Sequence, residues 1–356
     1  MSLLAERLTA QLLAGDKVDS PLGVVERLLA VQAQDARGAR LAIRARSVGV
    51  TAAEVDAELT DARSLVVTWL NRGTLHLVRR EDYAWLQALT TPQLRTTTAR
   101  RLAQEGVSPH AAERGVVLIE RTLIDNGPLD RDTLRDRIRA AGVRTEGQAF
   151  VHLLVLASIR GLIVRGPLIA GRQAFVVVRD WLGPSKPVRR ESALGELGRR
   201  YLAGHGPADA ADLAKWAGIP LRDARSAFNA IGSELHERDD GLVDLKLRET
   251  AAALPLPQLL GPFEPVLLGW RARDMIVGEH GARIVSGGVF RPFALVRGRA
   301  VATWTISRGT VRLEPFRRLS AADRAALDTD AIDVSRYLTA NVSAALPSLV
   351  RPAPQR

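Results

Sequence analysis

"SLVVTWLNRGTLHLV", residues 64–78, sets two β-rich runs on either side of Asn71-Arg72-Gly73. The glycine can supply the positive φ that a tight hairpin needs, so the stretch reads as strand, turn, strand. The chain before it reads as helix. Apolar spacing predicts helices over about 3–14, 20–36, 38–47 and 51–60, and another over about 80–90. Thr51-Ala-Ala-Glu54 opens one of them as a capping box. Helices followed by a hairpin are the plan of a winged helix, with the hairpin as its wing.

The plan recurs further along. "NGPLDRDTLRDRIRAAGV" (126–143) and "HGPADAADLAKWAGIPLRDARSAFNAI" (205–231) both run Gly-Pro, a short spacer, then a helix with an inward leucine. Each is followed by a turn-bounded strand pair, "LIVRGPLIAGRQAFVVV" (162–178) and "ELHERDDGLVDLKL" (234–247). We read a repeated helix-turn-helix unit with a wing. "GPSKPVRR" (183–190) reads as a linker and "LPLPQLLGPFEP" (254–265) as a boundary. Short strands between Gly pairs and Arg-Gly turns follow, suggesting a small antiparallel barrel or sandwich. "SAADRAALDTDAIDVSRYLTA" (320–340) predicts one or two helices ahead of a Pro-rich tail. The expected class is α+β, with three tandem winged-helix units (1–95, 96–182, 183–253) and a C-terminal barrel-like domain with terminal helices (254–356).

Composition narrows the partner. Fifty Lys+Arg against 39 Asp+Glu leave a net charge of +11 on 356 residues, and only Lys17, Lys186, Lys215 and Lys246 are lysines. Such an excess favours a polyanion, and salt-sensitive DNA binding leads. Cysteine is absent, so thiolate metal sites and thiol nucleophiles are excluded. The six histidines (76, 110, 152, 205, 236, 280) show no metal-type pairing, and no phosphate-binding or dinucleotide glycine loop is present. No metal or cofactor is expected. Glu6 and Arg7 interrupt the apolar N-terminus, and no run is long enough to span a membrane. A cytoplasmic monomer is expected.

One segment fits no generic plan. "VQAQD" (31–35) sets Gln32 and Gln34 two residues apart, followed by Asp35. On a helix they would face nearly opposite ways; on extended backbone they point the same way. Residue by residue, solvated polar groups at a helix end explain them more readily than a site does.

"AVQAQDARGARLAIRARSVGV", "VVTWLNRGTLHLVRREDYAWL", "LLGWRARDMIV" and "GGVFRPFALVRGRAVATW" occur in this order. Together, over about residues 20–316, they resemble the bacterial winged-helix DNA glycosylases of the AlkZ type. That resemblance implies three winged-helix units and a β-barrel around a DNA-sized channel. It also implies excision of N7-alkylated purines, with unhooking of interstrand crosslinks. The family signature, Gln-x-Gln, maps onto Gln32-Ala33-Gln34; a related branch carries Asp at the second position, which this chain does not. The partner implied is double-stranded DNA carrying alkylated purines.

Two amides suit that substrate. Most glycoside hydrolases use paired carboxylates. An N7-alkylated guanine is already cationic and leaves without an acid to protonate it. A glutamine carbonyl can hold the attacking water while its NH₂ anchors a phosphate or sugar oxygen. Asp35 could add electrostatic support, although a helix cap before Ala36 is the stronger reading. Candidate DNA contacts are Arg37 and Arg40 beside the glutamines, Arg72 and His76 on the wing, and Arg271, Arg273 and Arg291 in the C-terminal part. Few lysines argue against a Schiff-base lyase step. The alternatives are a dimeric winged-helix regulator on a palindrome, or a noncatalytic binder that shields lesions.

Overall fold

The computed structural model describes residues 2–184, 187–248 and 250–343, the side chains of 340–343 excepted. Ser185 and Lys186 of the expected linker lie outside the described residues, and so does the Pro-rich tail. The chain is mixed α and β.

The hairpin forms as its sequence predicts. Strands β2 (Leu65–Leu70) and β3 (Thr74–Arg79) pair antiparallel around Asn71–Gly73, with Gly73 at a φ of 77° and Arg72 also left-handed at 51°. The helix expected over 20–36 stops much sooner. Ser20 caps it, Pro21 sits in its first turn, and it ends at Leu28 because Leu29 turns to a φ of 64° to keep its side chain in the core. The chain then extends as β1 (Val31–Gln32) against β3, with Gln32 opposite His76. Asp35 restarts a helix over Ala36–Arg44, its carboxylate accepting from Gly38 N at 2.7 Å. Thr51 and Glu54 make the capping box of the next helix, Ala52–Thr60.

This order of elements occurs three times. A helix (Pro21–Leu28, Pro109–Asn126, Arg190–His205) leads into a short extended segment. An Asp cap (Asp35, Asp130, Asp209) starts a second helix, a third follows, and a hairpin closes the unit. The extended segment pairs each time with the second hairpin strand: β1 with β3, β4 (Leu129–Asp130) with β6 (Arg172–Val177), and Ala208 with Val243. Gln32 therefore stands three residues before its Asp, where the other two units have Gly127 and Gly206. Gln32-Ala33 stands where the other two units have Gly-Pro, and Gln34 where they have Leu129 and Ala208, in an otherwise repeated frame.

The first two hairpins fuse. β5 (Ile163–Ile169) meets β2 at Val67–Arg165, giving a six-stranded sheet in the order β1-β3-β2-β5-β6-β4. In the third unit β7 (Leu235–Glu237) and β8 (Val243–Leu245) stand alone as a pair. One face of the large sheet packs on the main helices of the first two units, and the other on helices Arg80–Thr90 and Val178–Leu182, in a core continuous with the third unit.

The expected C-terminal barrel is not closed. β9 (Gln258–Leu260), β12 (Phe293–Val296), β13 (Arg299–Ser307) and β14 (Thr310–Pro315) form an open sheet in the order β14-β13-β12-β9. β10 (Val285–Ser286) and β11 (Val289–Phe290) form a separate hairpin around Gly287-Gly288. The reason is coverage. Helix Ala321–Ser343 lays Leu327, Val334 and Tyr337 over Val301 and Trp304, so the apolar face is buried without the sheet curling on itself. Arg46 and Glu264, both fully buried, pair across the junction of the N-terminal and C-terminal parts, with Gln11 accepting from the same guanidinium.

Candidate active site

Extended backbone places Val31 and Ala33 in the core and turns Gln32 and Gln34 to the other side. Gln32 is 6% exposed and Gln34 is open to solvent. Each amide oxygen meets a group that can only donate. Gln32 Oε1 accepts from Arg72 Nη2 at 3.3 Å, and Gln34 Oε1 accepts from the backbone N–H of Leu75 at 2.9 Å. A flipped amide would set N–H against N–H, so both carboxamides are fixed with their oxygens toward the hairpin. The Gln34 oxygen takes the place of a ladder carbonyl, which lets its own backbone leave the sheet. Each oxygen keeps a second lone pair, and the NH₂ groups remain to serve a ligand.

His76, opposite Gln32, is 2% exposed. Its Nδ1 lies 2.9 Å from Thr74 O, which only accepts, so Nδ1 carries the proton and Nε2 a lone pair. Burial, reinforced by the Arg72 charge, pushes its pKa down to about 3, so the ring is neutral. Thr68 is the next residue in this cross-strand row, opposite His76 on β2, and its buried hydroxyl has no partner among the described residues. Asn71, at the turn, has neither amide atom paired among the described residues.

Arg72 does not project from a wing tip. Its guanidinium donates to Trp216 O and to Lys215 O (3.4 Å) at the C-terminus of helix Ala210–Ala217, as well as to Gln32. Asp35 is committed to its cap. Arg37 is exposed, whereas Arg40 is paired with Asp56 and with Ala36 O. Arg271 is held by Asp209 and Asp212, far along the chain from the glutamines. Arg273 lies over the Phe290 ring and Arg291 donates to Arg283 O, so these two flank the β10–β11 hairpin. The structure thus gathers Gln32, Gln34, Arg72 and His76, with Asp35 and Arg37 next along the chain, and leaves Arg271, Arg273 and Arg291 on a separate element. Among the described residues no cluster of His, Asp or Glu could hold a metal, and no helix is long and apolar enough to cross a membrane.

Sequence reasoning missed Thr68 and Asn71, although period-two alternation in the hairpin marks Thr68 as sharing a face with His76. It also missed helix Leu94–Gln104, which starts beside the turn, its Leu94 near Gly73. No acid occurs from 83 to 104, and Arg95 and Arg100 are exposed there without an acid partner among the described residues. That acid-free run was the available signal.

Comparison with known proteins identifies the family. The sequence model described as "DNA glycosylase AlkZ-like" matches residues 25–337. The chain is 27% identical over 364 aligned positions to an interstrand DNA cross-link repair glycosylase of Streptomyces sahachiroi, covering 94% of this chain and 95% of that protein. Among solved structures, the Streptomyces sahachiroi DNA glycosylase AlkZ matches with a TM-score of 0.73 at 25% identity, over 94% of this chain and 95% of that one. With a match over most of its length, the chain belongs to the AlkZ-like DNA glycosylase family.

Proposed function

We propose that the protein hydrolyses the N-glycosidic bond of N7-alkylated purines in double-stranded DNA, bulky adducts and interstrand crosslinks included. Cross-link repair, the activity in its Streptomyces relative's name, supports the wider substrate range. The observation that carries the reading is the pair of amides, Gln32 and Gln34, fixed on one side of an extended segment by donor-only partners.

In the reaction, water adds to the sugar C1′ as the bond to the purine breaks. The bonding electrons leave with the base and cancel the charge that alkylation gave it, and the water's proton passes to solvent. The second lone pair of a glutamine oxygen holds the water, and the NH₂ groups hold a sugar or phosphate oxygen. Asp35 stays with its helix. The reading includes three winged-helix units over 1–95, 96–182 and 183–253, acting as a monomer in the cytoplasm. Arg37, Arg95, Arg100, Arg273 and Arg291 contact phosphates, while Arg40 and Arg271 are neutralised by acids. Membership in a glycosylase family weighs against the DNA-binding regulator. The test is incubation with a duplex carrying one N7-methylguanine. Free base and an abasic site above spontaneous depurination are expected; DNA binding without release overturns the reading.

A further inference from the structure

The guanidinium of Arg72 sits in an unusual place for a cation. Among the described residues its partners are three carbonyl oxygens, those of Trp216, Lys215 and Gln32, and no carboxylate. The first two end helix Ala210–Ala217, where the unpaired carbonyls and the helix dipole favour positive charge. Burial lowers its pKa to about 10, which still leaves it charged near neutrality. Desolvating a cation without an acid is costly, and a turn needs no such device to form.

The surroundings hold that arrangement. Arg72 takes a left-handed φ of 51°, which a non-glycine residue keeps only when its neighbours impose it. Gly218, itself left-handed at 69°, presses on the turn: a Cβ there would lie 2.6 Å from the Arg72 nitrogen. The side chain of Gln93 donates to Gly218 O at 2.8 Å and to Thr90 O at 2.9 Å, tying this contact to helix Leu94–Gln104. Asn71, beside Arg72, makes no side-chain hydrogen bond among the described residues, so packing and the Arg72 contacts define the turn.

We propose that Arg72 is a positioning residue that acts through Gln32. The C-terminus of helix Ala210–Ala217 clamps its guanidinium, which orients the Gln32 carboxamide and couples the third repeated unit to the reaction. A glutamine side chain alone rotates freely and presents either end. A guanidinium only donates, so it selects the oxygen and directs the NH₂ the other way. This inference rests on the reading that Gln32 is catalytic.

The test is single-turnover base release from an N7-methylguanine duplex, with binding to the same duplex and thermal melting measured in parallel. Arg72→Gln should slow release by about 10- to 100-fold with little change in duplex affinity. Combined with Gln32→Ala, it should add nothing to the Gln32→Ala loss, because it acts through that residue. Arg72→Lys should recover part of the rate and introduce a fall at high pH that the wild type lacks, since a desolvated ammonium loses its proton more readily. Gly218→Ala, which displaces the turn from the other side, should slow release as well. If Arg72→Gln fails to fold, the Arg72→Lys pH profile and Gly218→Ala decide the matter. Full activity of Arg72→Gln, or losses that multiply with Gln32→Ala, overturns the inference. Absence of release by the wild type sinks instead the reading beneath it.

Discussion

At the residue scale, the site is built from neutral groups whose orientation is set by what surrounds them. Gln32 faces a guanidinium and Gln34 a backbone N–H, and His76 is held uncharged by burial. Between about pH 5 and 6.8 an ordinary imidazole would become largely protonated. His76 should not, so single-turnover base release should vary by less than about two-fold over that window. A clear inflection near the ordinary histidine value would show that a titrating imidazole takes part. The pairing of Gln32 and Gln34 was legible in the sequence, but their partners were not. Arg72 reads as an exposed wing cation until the third unit, more than 140 residues along the chain, is packed against it.

At the element scale, local signals were read well and long-range ones poorly. The hairpin at 64–78, the capping box at Thr51 and the cap at Asp35 depend on neighbours a few residues apart, and all three form. The helix expected through residue 36 fails because apolar periodicity cannot show that Leu29 gains more from the core than from continuing its helix. That early stop creates the extended segment that carries the glutamines. Asp35 gives a sharp prediction. Asparagine is as good a cap as aspartate, so Asp35→Asn should keep both stability and base release. Asp35→Ala should cost about 1 kcal/mol, measured by denaturant unfolding. A large loss of release in Asp35→Asn would instead assign its carboxylate to catalysis.

At the scale of the whole molecule, buried polar contacts join the parts. Glu264→Gln leaves the Arg46 guanidinium buried without its counter-ion and should destabilise the protein by about 3–5 kcal/mol in denaturant unfolding. Stability should also depend on pH. The folded-state pKa values of His76 and His205 are both lowered to about 3, chiefly by burial. A depressed pKa means that the unfolded chain binds the proton first. Their contribution is therefore complete above the ordinary value near 6.5 and is lost as pH falls toward 3. His205→Phe should flatten that dependence, and an unchanged slope would contradict it. The expected barrel stays an open sheet because helix Ala321–Ser343 covers Val301 and Trp304, and no strand pattern reveals that cover.

The most direct test of the central claim compares base release and duplex affinity for the Gln32→Ala, Gln34→Ala double variant and the wild type. We expect excision of N7-methylguanine to fall to the spontaneous rate while affinity stays within a few-fold. Excision that persists in the double variant would contradict the account, because the chemistry would then belong to other residues.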